Sequence, residues 1–445
     1  MIPAQNAAEP PAGAERLNRL PAMVRALRHR NFQLFFGGQL ISLVGTWMDN
    51  IAEAWLVYRL THSSFLLGAV AFSGQIPVFL LAPIGGMVAD RWNRRTIIIA
   101  TQASSMFLAF VLAFLTLSGR VRVWEVMVLA ALMGVVNTFD IPTRQAFLVE
   151  MVGRADLMNA IALNSSMFNG ARVIGPSIAG ILVASVGEGW CFFANAVSYI
   201  AVIAGLLLMR MDRVVRETET ASPLERIAEG FRFVRDTAPI RVLLMLLGLV
   251  SLVAMPYAVL MPVFARDILH GNARTLGVLM GATGVGALAG ALVLASRRGV
   301  RGLGRWVAIA CASFGVSLIL FSFSRSYILS VALLVPVGFS MMVQMASSNT
   351  LIQAMVPDRL RGRTMAVYSM MFMGMAPLGA LLSGILAEHI KAPLTVALGG
   401  AGAIVGAIIF ARNLPKIRVE ARQLLVAQGM VGGEPAQEMT ANVVE

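Results

Sequence analysis

Residues 86–118 decide the fold class, because a basic turn leads directly into a long apolar run: GMVADRWNRRTIIIATQASSMFLAFVLAFLTLS. No Asp, Glu, Lys or Arg occurs between residues 96 and 118, and a helix of about 20 apolar residues crosses a bilayer. The whole chain of 445 residues repeats this pattern, with 58% hydrophobic and 13% charged residues. Soluble proteins carry roughly 25% charged residues. The composition therefore excludes a soluble enzyme and predicts an all-α membrane protein.

Apolar windows of about 19 residues predict twelve transmembrane helices, numbered as spans 1 to 12 in chain order. The predicted spans are 32–58, 65–89, 96–118, 123–142, 159–185, 190–210, 241–264, 273–295, 305–324, 327–350, 364–388 and 393–411. The expected organisation is a cytoplasmic N-terminal tail (1–31), an N-terminal six-helix bundle (32–210), a linker (211–240), a C-terminal six-helix bundle (241–411) and a cytoplasmic C-terminal tail (412–445).

The basic residues predict the orientation of the chain in the membrane. The tails and the loops on their side hold 28 of the 36 Lys and Arg residues, and the loops on the other side hold 7. Because Lys and Arg accumulate in cytoplasmic loops, both termini are expected in the cytoplasm, beneath a bacterial inner membrane. The net charge of +13 follows from this topology, and no basic patch with interleaved aromatic residues favours nucleic-acid binding.

The linker is expected to contain an amphipathic helix. Ser222-Pro223-Leu224-Glu225 combines a capping serine, a proline at the first helical position and a glutamate three residues after the cap. Apolar residues then recur at helical spacing, opposite charged ones, as far as residue 235. This pattern predicts a helix that lies on the membrane surface and connects two bundles that move independently.

Few residues of this chain are suited to hold a metal or a cofactor. The two cysteines, Cys191 and Cys311, lie 120 residues apart in apolar stretches, and the four histidines are scattered singly. Neither of the two lysines follows a glycine, so the phosphate-binding loop of ATP-driven pumps is missing. No nucleophile, base and third group gather at one predicted membrane depth. We therefore expect no metal, no cofactor and no catalysis.

The two halves of the chain resemble each other. The stretch EMVGR at residues 150–154, before span 5, is similar to AMVPD at residues 354–358, before span 11. Gly180 and Gly384 keep the same offset of 204 residues. In transporters built from two parallel repeats, substrate binds near the midplane at the interface of the repeats. The repeat therefore predicts a transporter with a central site.

The turn between spans 2 and 3, Gly86-Met87-Val88-Ala89-Asp90-Arg91-Trp92-Asn93-Arg94-Arg95, resembles the loop signature of the major facilitator superfamily, usually written G-x-L-A-D-R-x-G-R-R. Asn93 stands where the signature has glycine, and asparagine tolerates the left-handed turn expected there. The resemblance implies a gate in which an aspartate pairs with arginines when the cytoplasmic face closes. The gating residues would be Gly86, Asp90, Arg91, Arg94 and Arg95. The alternative is a basic loop that only sets the topology.

A longer stretch resembles the branch of this superfamily that contains enterobactin exporters and related efflux proteins. It runs from Pro142-Thr143-Arg144-Gln145-Ala146-Phe147 to Asp156-Leu157-Met158-Asn159-Ala160-Ile161-Ala162-Leu163-Asn164. In span 5, Gly175-Pro176, with Gly170 before it and Gly180 after it, is similar to the glycine-proline signature of antiporters in the superfamily. The resemblance implies a hinge at Gly175 and Pro176, and a kink that only serves helix packing is the alternative.

Span 1 carries a polar stripe whose members are spaced by three and four residues and share one helical face: Gln39, Ser42, Thr46, Asp49 and Glu53. Asp49 and Glu53 are one turn apart and repel each other, and span 5 carries Arg172 close to mid-depth. A charged residue at the membrane centre costs roughly 2.5–3.5 kcal/mol, so these three groups need partners, water or neutralisation. We expect Asp49 and Glu53 to couple transport to protons, with Arg172 as their counter-charge. The alternative is a static ion pair that holds span 1 against span 5.

Other polar side chains are expected to line a substrate cavity. The resemblance implies that the first and fourth spans of each half line it, which selects Asn137 on span 4 and Gln344 on span 10. The expected cavity residues are Gln39, Ser42, Thr46, Asn137, Asn169 and Gln344. The span 4 arginine of proton-coupled members is missing, because Arg144 lies too near the cytoplasmic end to replace it.

The sequence therefore predicts a monomeric secondary transporter in which two bundles rock about a central cavity. Its expected partners are a small-molecule substrate, protons and membrane lipids. The resemblance implies export of an amphipathic molecule, such as a siderophore or a drug, in exchange for protons. Two alternatives stay open: an uncoupled or lipid-moving facilitator, and a membrane scaffold or sensor that transports nothing. The ionisable residues within the spans favour transport over the scaffold.

Overall fold

The computed structural model describes residues 22–210, 223–297 and 299–428, which fold as helices joined by short turns. The helices of the spans are Arg30–Thr61 (span 1), Ser64–Arg91 (span 2), Arg94–Leu117 (span 3), Val123–Val186 (spans 4 and 5), Glu188–Leu208 (span 6), Ala238–Val253 with further turns to Ile268 (span 7), Ala273–Ala295 (span 8), Leu303–Phe323 (span 9), Tyr327–Met355 (span 10), Asp358–Ile390 (span 11) and Ala392–Ala427 (span 12). A 3₁₀-helix, Ala22–Arg28, precedes span 1, and the helix Pro223–Asp236 lies in the linker.

Ten of the described helices are long and apolar enough to cross a membrane. One of them, Val123–Val186, has 64 residues, about three times the 20 residues that one crossing needs. Its backbone leaves helical geometry at Gly153, with φ 69° and ψ 175°, so this helix contains both span 4 and span 5. Span 1 is not among the ten, because its polar stripe lowers its hydropathy. With span 1 and the divided helix, the chain is an all-helical membrane protein of twelve helices, as predicted.

Span 7 is less regular than predicted. Its α-helix ends at Val253 and is followed by a 3₁₀-helix, Met255–Leu260, and a π-helical turn, Phe264–Ile268. Pro256 and Pro262 lie in this region, and proline removes the N–H donor that a continuous α-helix needs. The backbone of span 7 is therefore irregular over the half of its length that follows residue 253.

The ends of two other elements also differ from their predicted form. Span 12 continues to Ala427, so part of the predicted C-terminal tail (412–445) is helical, and Ile417 is buried. Asn93 does not adopt the left-handed turn, since its φ is −65° and its ψ is 114°. Its side chain instead caps span 3 by accepting a hydrogen bond from the N–H of Thr96 at 3.2 Å, so the left-handed prediction was wrong.

The linker helix packs against the beginning of span 11. Glu229 forms an ion pair with Arg363, and a Cβ added to Gly230 would lie 2.6 Å from the backbone oxygen of Arg363. Val234 is buried, whereas Phe231 remains exposed. The predicted cap, Ser222, lies outside the described residues. Packing on span 11 thus attaches the linker to the C-terminal half.

Glycines allow the two halves to touch. Gly68 of span 2 lies against span 11, where its added Cβ would be 3.0 Å from the Cα of Gly384. Gly180 of span 5 lies against span 8 in the same way, 3.0 Å from the Cα of Gly277. Both contacts lie toward the end of the molecule that carries the turns at residues 62–63, 187 and 391, which we call the distal face. The opposite end, with the 3₁₀-helix and the linker helix, is the terminal face.

The 3₁₀-helix is fastened to the segment that follows Gly153. The carboxylate of Asp156, whose side chain is 1% exposed, contacts three side chains in or beside that helix at 2.6–2.7 Å: Arg25, Arg28 and His29. The stretch that resembles enterobactin exporters therefore holds the N-terminal segment on the terminal face.

The Asp156 contacts predict a pH-dependent stability. The hydrogen bond with His29 holds the pKa of the Asp156 carboxyl below its ordinary value, and the contacts with the positively charged Arg25 and Arg28 lower this pKa further. A carboxyl whose folded pKa is lowered stabilises the fold above its ordinary pKa of about 4, and this contribution is lost as the pH falls through the lowered value. We expect Asp156→Asn to lower the Tm of the purified protein at neutral pH, by a difference that shrinks in acid.

A matched control for this experiment is Asp358→Asn. Asp358 is exposed and pairs only with Arg361 within the described residues, and exposed pairs add little to stability. Equal Tm values for Asp156→Asn and the wild type at neutral pH would contradict a stabilising role for the Asp156 contacts.

Candidate functional site

A cavity of about 550 Å³ lies within the N-terminal half and extends to spans 7 and 8. Its polar lining comes from spans 1, 2, 3, 4 and 6: Gln39, Ser42, Thr46, Asp49, Asn50, Glu53, Gln75, Gln102, Ser105, Asn137, Asp140, Arg144 and Tyr199. In the structure, the whole polar stripe of span 1 and Asn137 of span 4 therefore line the same cavity. These are four of the six residues predicted for the substrate cavity, together with both predicted proton-coupling carboxylates.

Asp49 lies where span 1 packs against span 6. Gly45 permits the close approach, because a Cβ added there would lie 2.7 Å from the Asn195 Oδ1 atom. The Asn195 side chain also lies beside the Asp49 carboxylate and the hydroxyl of Tyr199. Asp49 Oδ1 is buried without a hydrogen-bond partner among the described residues. This oxygen is therefore available to a proton or to a bound molecule.

Glu53 lies one turn further along span 1 and faces Asp49. Among the described residues, no Lys, Arg or His nitrogen lies within 4.0 Å of either carboxylate. Two negative charges so close together in a nonpolar environment repel each other, and a proton bound to either group relieves that repulsion. The pair is therefore suited chemically to take up and release a proton.

A buried polar network lines the cavity on the side of the terminal face. Asp140 of span 4 pairs with Arg144 at 2.5 Å and accepts hydrogen bonds at 2.9 Å from Thr101 and Gln102 of span 3. Arg144 was expected near the cytoplasmic end of span 4, but its pairing with Asp140 and the contacts with span 3 were not predicted. Gln102 and Ser105 lie one turn apart on span 3, which is the signal that a search for polar stripes could have used.

Arg172 does not form an ion pair with Asp49 or Glu53, although it was predicted to be their counter-charge. Its guanidinium lies 5.7 Å from the centre of the Trp47 ring, and Nη2 lies 3.9 Å from the sulfur of Met341 on span 10. Among the described residues, no carboxylate lies within 4.0 Å of it. The reason is rotation about the helix axis: the Asp49 side chain contacts span 6, whereas Trp47, two residues earlier, contacts span 5.

Gln344 and Asn169 do not line the cavity. Gln344 is buried in the C-terminal half, with its Nε2 unpartnered among the described residues. Asn169 donates a hydrogen bond to the backbone oxygen of Ser165, one turn earlier, at 2.9 Å. The structure therefore separates these two residues from the other four that were predicted for the substrate site.

Two arginines of the loop that was predicted to gate the terminal face, Arg94 and Arg95, contact neighbouring helices of the N-terminal half. Arg94 reaches the Glu150 carboxylate at 3.0 Å and the Ala146 backbone oxygen at 2.9 Å, while Arg95 donates to backbone oxygens of span 6 at 2.8 and 3.0 Å. Asp90 is 71% exposed and lies 3.8 Å from Arg94. Arg91 is exposed, and Gly86 has open space around it. Asp90 forms no ion pair with the C-terminal half among the described residues.

Gly175 and Pro176 lie at two helix contacts. A Cβ added to Gly175 would lie 2.5 Å from the Cβ of Trp47, and the carbonyl oxygen of Pro176 faces Gly277 of span 8. The backbone is helical at both residues, since Gly153 is the residue of this helix with non-helical angles. In this conformation the pair serves close packing, and the hinge remains a prediction about the transition.

Polar contacts join the halves at the distal face. The Tyr58 hydroxyl donates to Asp267 of span 7. Glu388 of span 11 accepts hydrogen bonds from the Ser63 hydroxyl at 3.2 Å and the Phe65 N–H at 3.1 Å, so it caps the beginning of span 2. A carboxylate is favourable at a helix N-terminus because of the exposed N–H groups there.

The sequence matches a described family over most of its length. Residues 22–432 match the family of transmembrane secretion effectors. The chain is 26% identical over 379 residues to the staphyloferrin A transporter of Staphylococcus aureus, covering 84% of this chain and 94% of that protein. It is 28% identical over 357 residues to the multidrug efflux pump Tap of Mycolicibacterium fortuitum, covering 77% and 86%. It is 24% identical over 392 residues to the enterobactin exporter EntS of Shigella boydii, covering 88% and 93%.

Solved transporter structures share the fold. A mutant of the nucleoside transporter NupG superposes with a TM-score of 0.69, covering 86% of this chain and 99% of that chain at 12% identity. At this level of identity the similarity concerns the arrangement of the helices and carries no information about substrate.

Proposed function

Since this chain belongs to the transmembrane secretion effector family of the major facilitator superfamily, we propose that it exports an amphipathic small molecule across the bacterial inner membrane in exchange for protons. The observation that carries this proposal is the cavity that contains both Asp49 and Glu53. The similarity of the chain to transporters named for siderophores and for multidrug efflux supports a siderophore or a drug-like molecule as substrate.

The proposed transport mechanism is alternating access by two six-helix bundles, residues 32–210 and 241–411. The contacts of span 2 with span 11 and of span 5 with span 8 support this division, because they join the bundles through small residues. Small residues permit two helices to slide and separate without side chains that interlock. The proposed transporting unit is a monomer.

We assign the terminal face to the cytoplasm, because the loops and tails on that side carry most of the Lys and Arg residues. The distal face is then periplasmic. The polar contacts of Tyr58 and Glu388 between the halves lie there, while Asp90 is exposed on the cytoplasmic side. This combination supports a state closed to the periplasm, in which Asp90 forms no ion pair with the C-terminal half among the described residues.

In the proposed cycle, Asp49 and Glu53 take up a proton when the cavity faces the periplasm and release it when the cavity faces the cytoplasm. The network of Asp140, Arg144 and Gln102 lies between the pair and the cytoplasmic face, which supports it as part of the proton path. Binding of substrate and proton at different times then couples the two fluxes.

The experiment that tests the function uses everted membrane vesicles from cells that overproduce the protein. A panel of siderophores, antibiotics and dyes is offered with and without an imposed pH gradient, and accumulation is compared with vesicles that lack the protein. We expect accumulation of at least one compound that depends on the gradient. Flux that is unaffected by collapse of the gradient would favour the uncoupled or lipid-moving facilitator, and no flux of any solute would favour a scaffold or sensor.

Tyr58→Phe is expected to weaken closure of the periplasmic face. The change removes one hydrogen bond to a carboxylate, and because Asp267 is exposed we expect the low end of the usual range, about 1 kcal/mol or a fivefold shift toward the outward-open state. The measurement is the labelling rate of Thr46→Cys by an impermeant maleimide added outside right-side-out vesicles, with the buried Cys191 and Cys311 replaced by serine.

Tyr327→Phe is the matched control for this labelling experiment. Tyr327 begins span 10 at the same face and is exposed, and its hydroxyl makes no hydrogen bond within the described part of the chain. Equal labelling rates in Tyr58→Phe and Tyr327→Phe would argue against the gate contact.

A further inference from the structure

Arg172 occupies the centre of the molecule, where both halves meet. It belongs to span 5, its guanidinium stands over Trp47 of span 1, and it contacts Met341 of span 10. The titratable group that it faces is Tyr257 of span 7. One cation is therefore surrounded by two spans of the N-terminal half and two spans of the C-terminal half.

Arg172 lies at the contact between spans 5 and 8. The contact begins at Gly180 and Gly277 and continues to Gly284, whose added Cβ would lie 3.1 Å from the backbone oxygen of Arg172. One turn before Arg172, Phe168 is 46% exposed. Arg172 thus lies beside the packed interface of the halves, at the depth at which such transporters bind substrate.

The charge of Arg172 is not neutralised by the protein. Among the described residues, no carboxylate lies within 4.0 Å of its nitrogens. Arg172 is half-buried. A cation that is partly removed from water and has no partner is costly, and charged side chains inside a membrane are otherwise paired. The protein therefore maintains a cation that a bound anion would neutralise.

The surroundings of Arg172 define the rest of the ligand. Trp47 and Phe168 form an edge-to-face pair with ring centres 5.6 Å apart, which offers an apolar, planar surface beside the guanidinium. Tyr257 lies in the irregular part of span 7, near Thr283 of span 8. Its hydroxyl supplies a second polar group for an oxygen of the ligand.

We propose that Arg172, Tyr257 and the Trp47–Phe168 pair form a subsite that binds the carboxylate of an amphipathic substrate, with the apolar part of the substrate against the two aromatic rings. This inference rests on the proposed function and specifies its substrate class. The planar fork of arginine binds carboxylate through two parallel hydrogen bonds. Trp47 lines the cavity of Asp49 and Glu53, whereas Arg172 and Tyr257 do not. The carboxylate of the substrate and the exchanged proton are therefore bound by different side chains.

The test measures binding of pyrenebutyrate and of its neutral amide to the purified full-length protein in detergent, by fluorescence anisotropy. We expect the wild type to bind the carboxylate more tightly than the amide. Arg172→Gln should weaken binding of the carboxylate about thirtyfold, as is usual when one partner of a buried charge pair is removed, and leave the amide unaffected. Arg172→Lys should keep part of the preference, because it keeps the charge and loses the fork.

Arg412→Gln is the control, since Arg412 is exposed on the far part of span 12 and its replacement removes the same charge. Equal affinity of the wild type for both probes, absence of carboxylate binding, or an unchanged preference in Arg172→Gln would overturn the subsite. If Arg172→Gln elutes as an aggregate, Arg172→Lys decides, and a preference equal to that of the wild type would overturn the proposal. The vesicle experiment distinguishes failure of the subsite from failure of the proposed function. Gradient-dependent flux in vesicles, together with carboxylate binding that does not depend on Arg172, would contradict only the subsite. Carboxylate binding that depends on Arg172, without flux of any solute, would contradict only the transport function.

Discussion

Asp49→Asn and Glu53→Gln are each expected to reduce efflux driven by a pH gradient to the level measured without a gradient. Both substitutions keep the size of the side chain and one acceptor oxygen, but they replace the other oxygen by an NH2 group and so remove the group that takes up a proton. The cavity around these residues holds no cation within 4.0 Å of either carboxylate among the described residues, so no ion pair is broken by the change. Loss of coupling is therefore the expected result, with little change in stability.

The decisive measurement compares two kinds of flux in proteoliposomes. Gradient-driven accumulation requires a proton on the carboxylate pair, whereas exchange of labelled for unlabelled substrate requires only the movement of the loaded carrier. We expect the variants to lose the first and to keep the second. Asp236→Asn is a suitable control, because Asp236 is exposed and pairs only with its neighbour Arg235 within the described residues.

Two results would contradict the coupling role. Unaltered gradient-driven accumulation in both variants would exclude it directly. A parallel loss of exchange, accumulation and Tm would instead indicate that Asp49 and Glu53 have a static structural role. The Asp49 Oδ1 atom has no hydrogen-bond partner among the described residues, which argues against that alternative, since a purely structural carboxylate is expected to be fully bonded.

Gly277→Val is expected to abolish transport while leaving the protein folded. A Cβ at residue 277 would lie 2.5 Å from the carbonyl oxygen of Pro176 and 2.8 Å from the Cα of Gly180, so the periplasmic face could not close. Overpacking of this kind costs about 1–3 kcal/mol, which disfavours the closed state by roughly fivefold to more than a hundredfold. The outward-open state does not require this contact, and the protein is expected to accumulate in it.

Gly338→Val is the informative comparison, because Gly338 faces the backbone of Thr283 within the C-terminal half. That contact exists in both states of a rocking bundle, so its disruption should lower Tm and yield rather than shift the equilibrium. Gly170→Val controls for the change of residue, since a Cβ there would have open space. The measurements are Tm and maleimide labelling of Thr46→Cys from the periplasmic side. A similar loss of Tm in Gly277→Val and Gly338→Val would contradict the two-bundle mechanism.

Much of the fold was predictable from local properties of the chain. Apolar runs, the serine-proline start of the linker helix and the stripe of span 1 each depend on residues within a few turns of one another. The resemblance at residues 86–95 and 142–164 identified the superfamily and its exporter branch, and the match to the secretion effector family confirms both. That family consists of transporters, so the prediction that the protein is not an enzyme is confirmed as well.

The parts that were not predictable depend on how helices are rotated and packed. Asn93 has a cap conformation because the following N–H groups need an acceptor at the start of span 3. Spans 4 and 5 belong to one helical segment interrupted at Gly153, which hydropathy cannot distinguish from two separate helices. Gln344 was selected by its position in the repeat, but span 10 directs it into the interior of its own half.

Hydropathy and helical spacing by themselves determined that this chain crosses the membrane many times and that span 1 has one acidic face, because both are properties of neighbouring residues along a single helix. Which groups meet across helices was decided only by the tertiary structure. Arg172 was expected beside Asp49, yet Trp47 separates it from that face and turns it toward Met341 and Tyr257. A rotation of one or two residues about a helix axis changes the partner of a charge, and that rotation is set by the close packing of small residues such as Gly45 and Gly175.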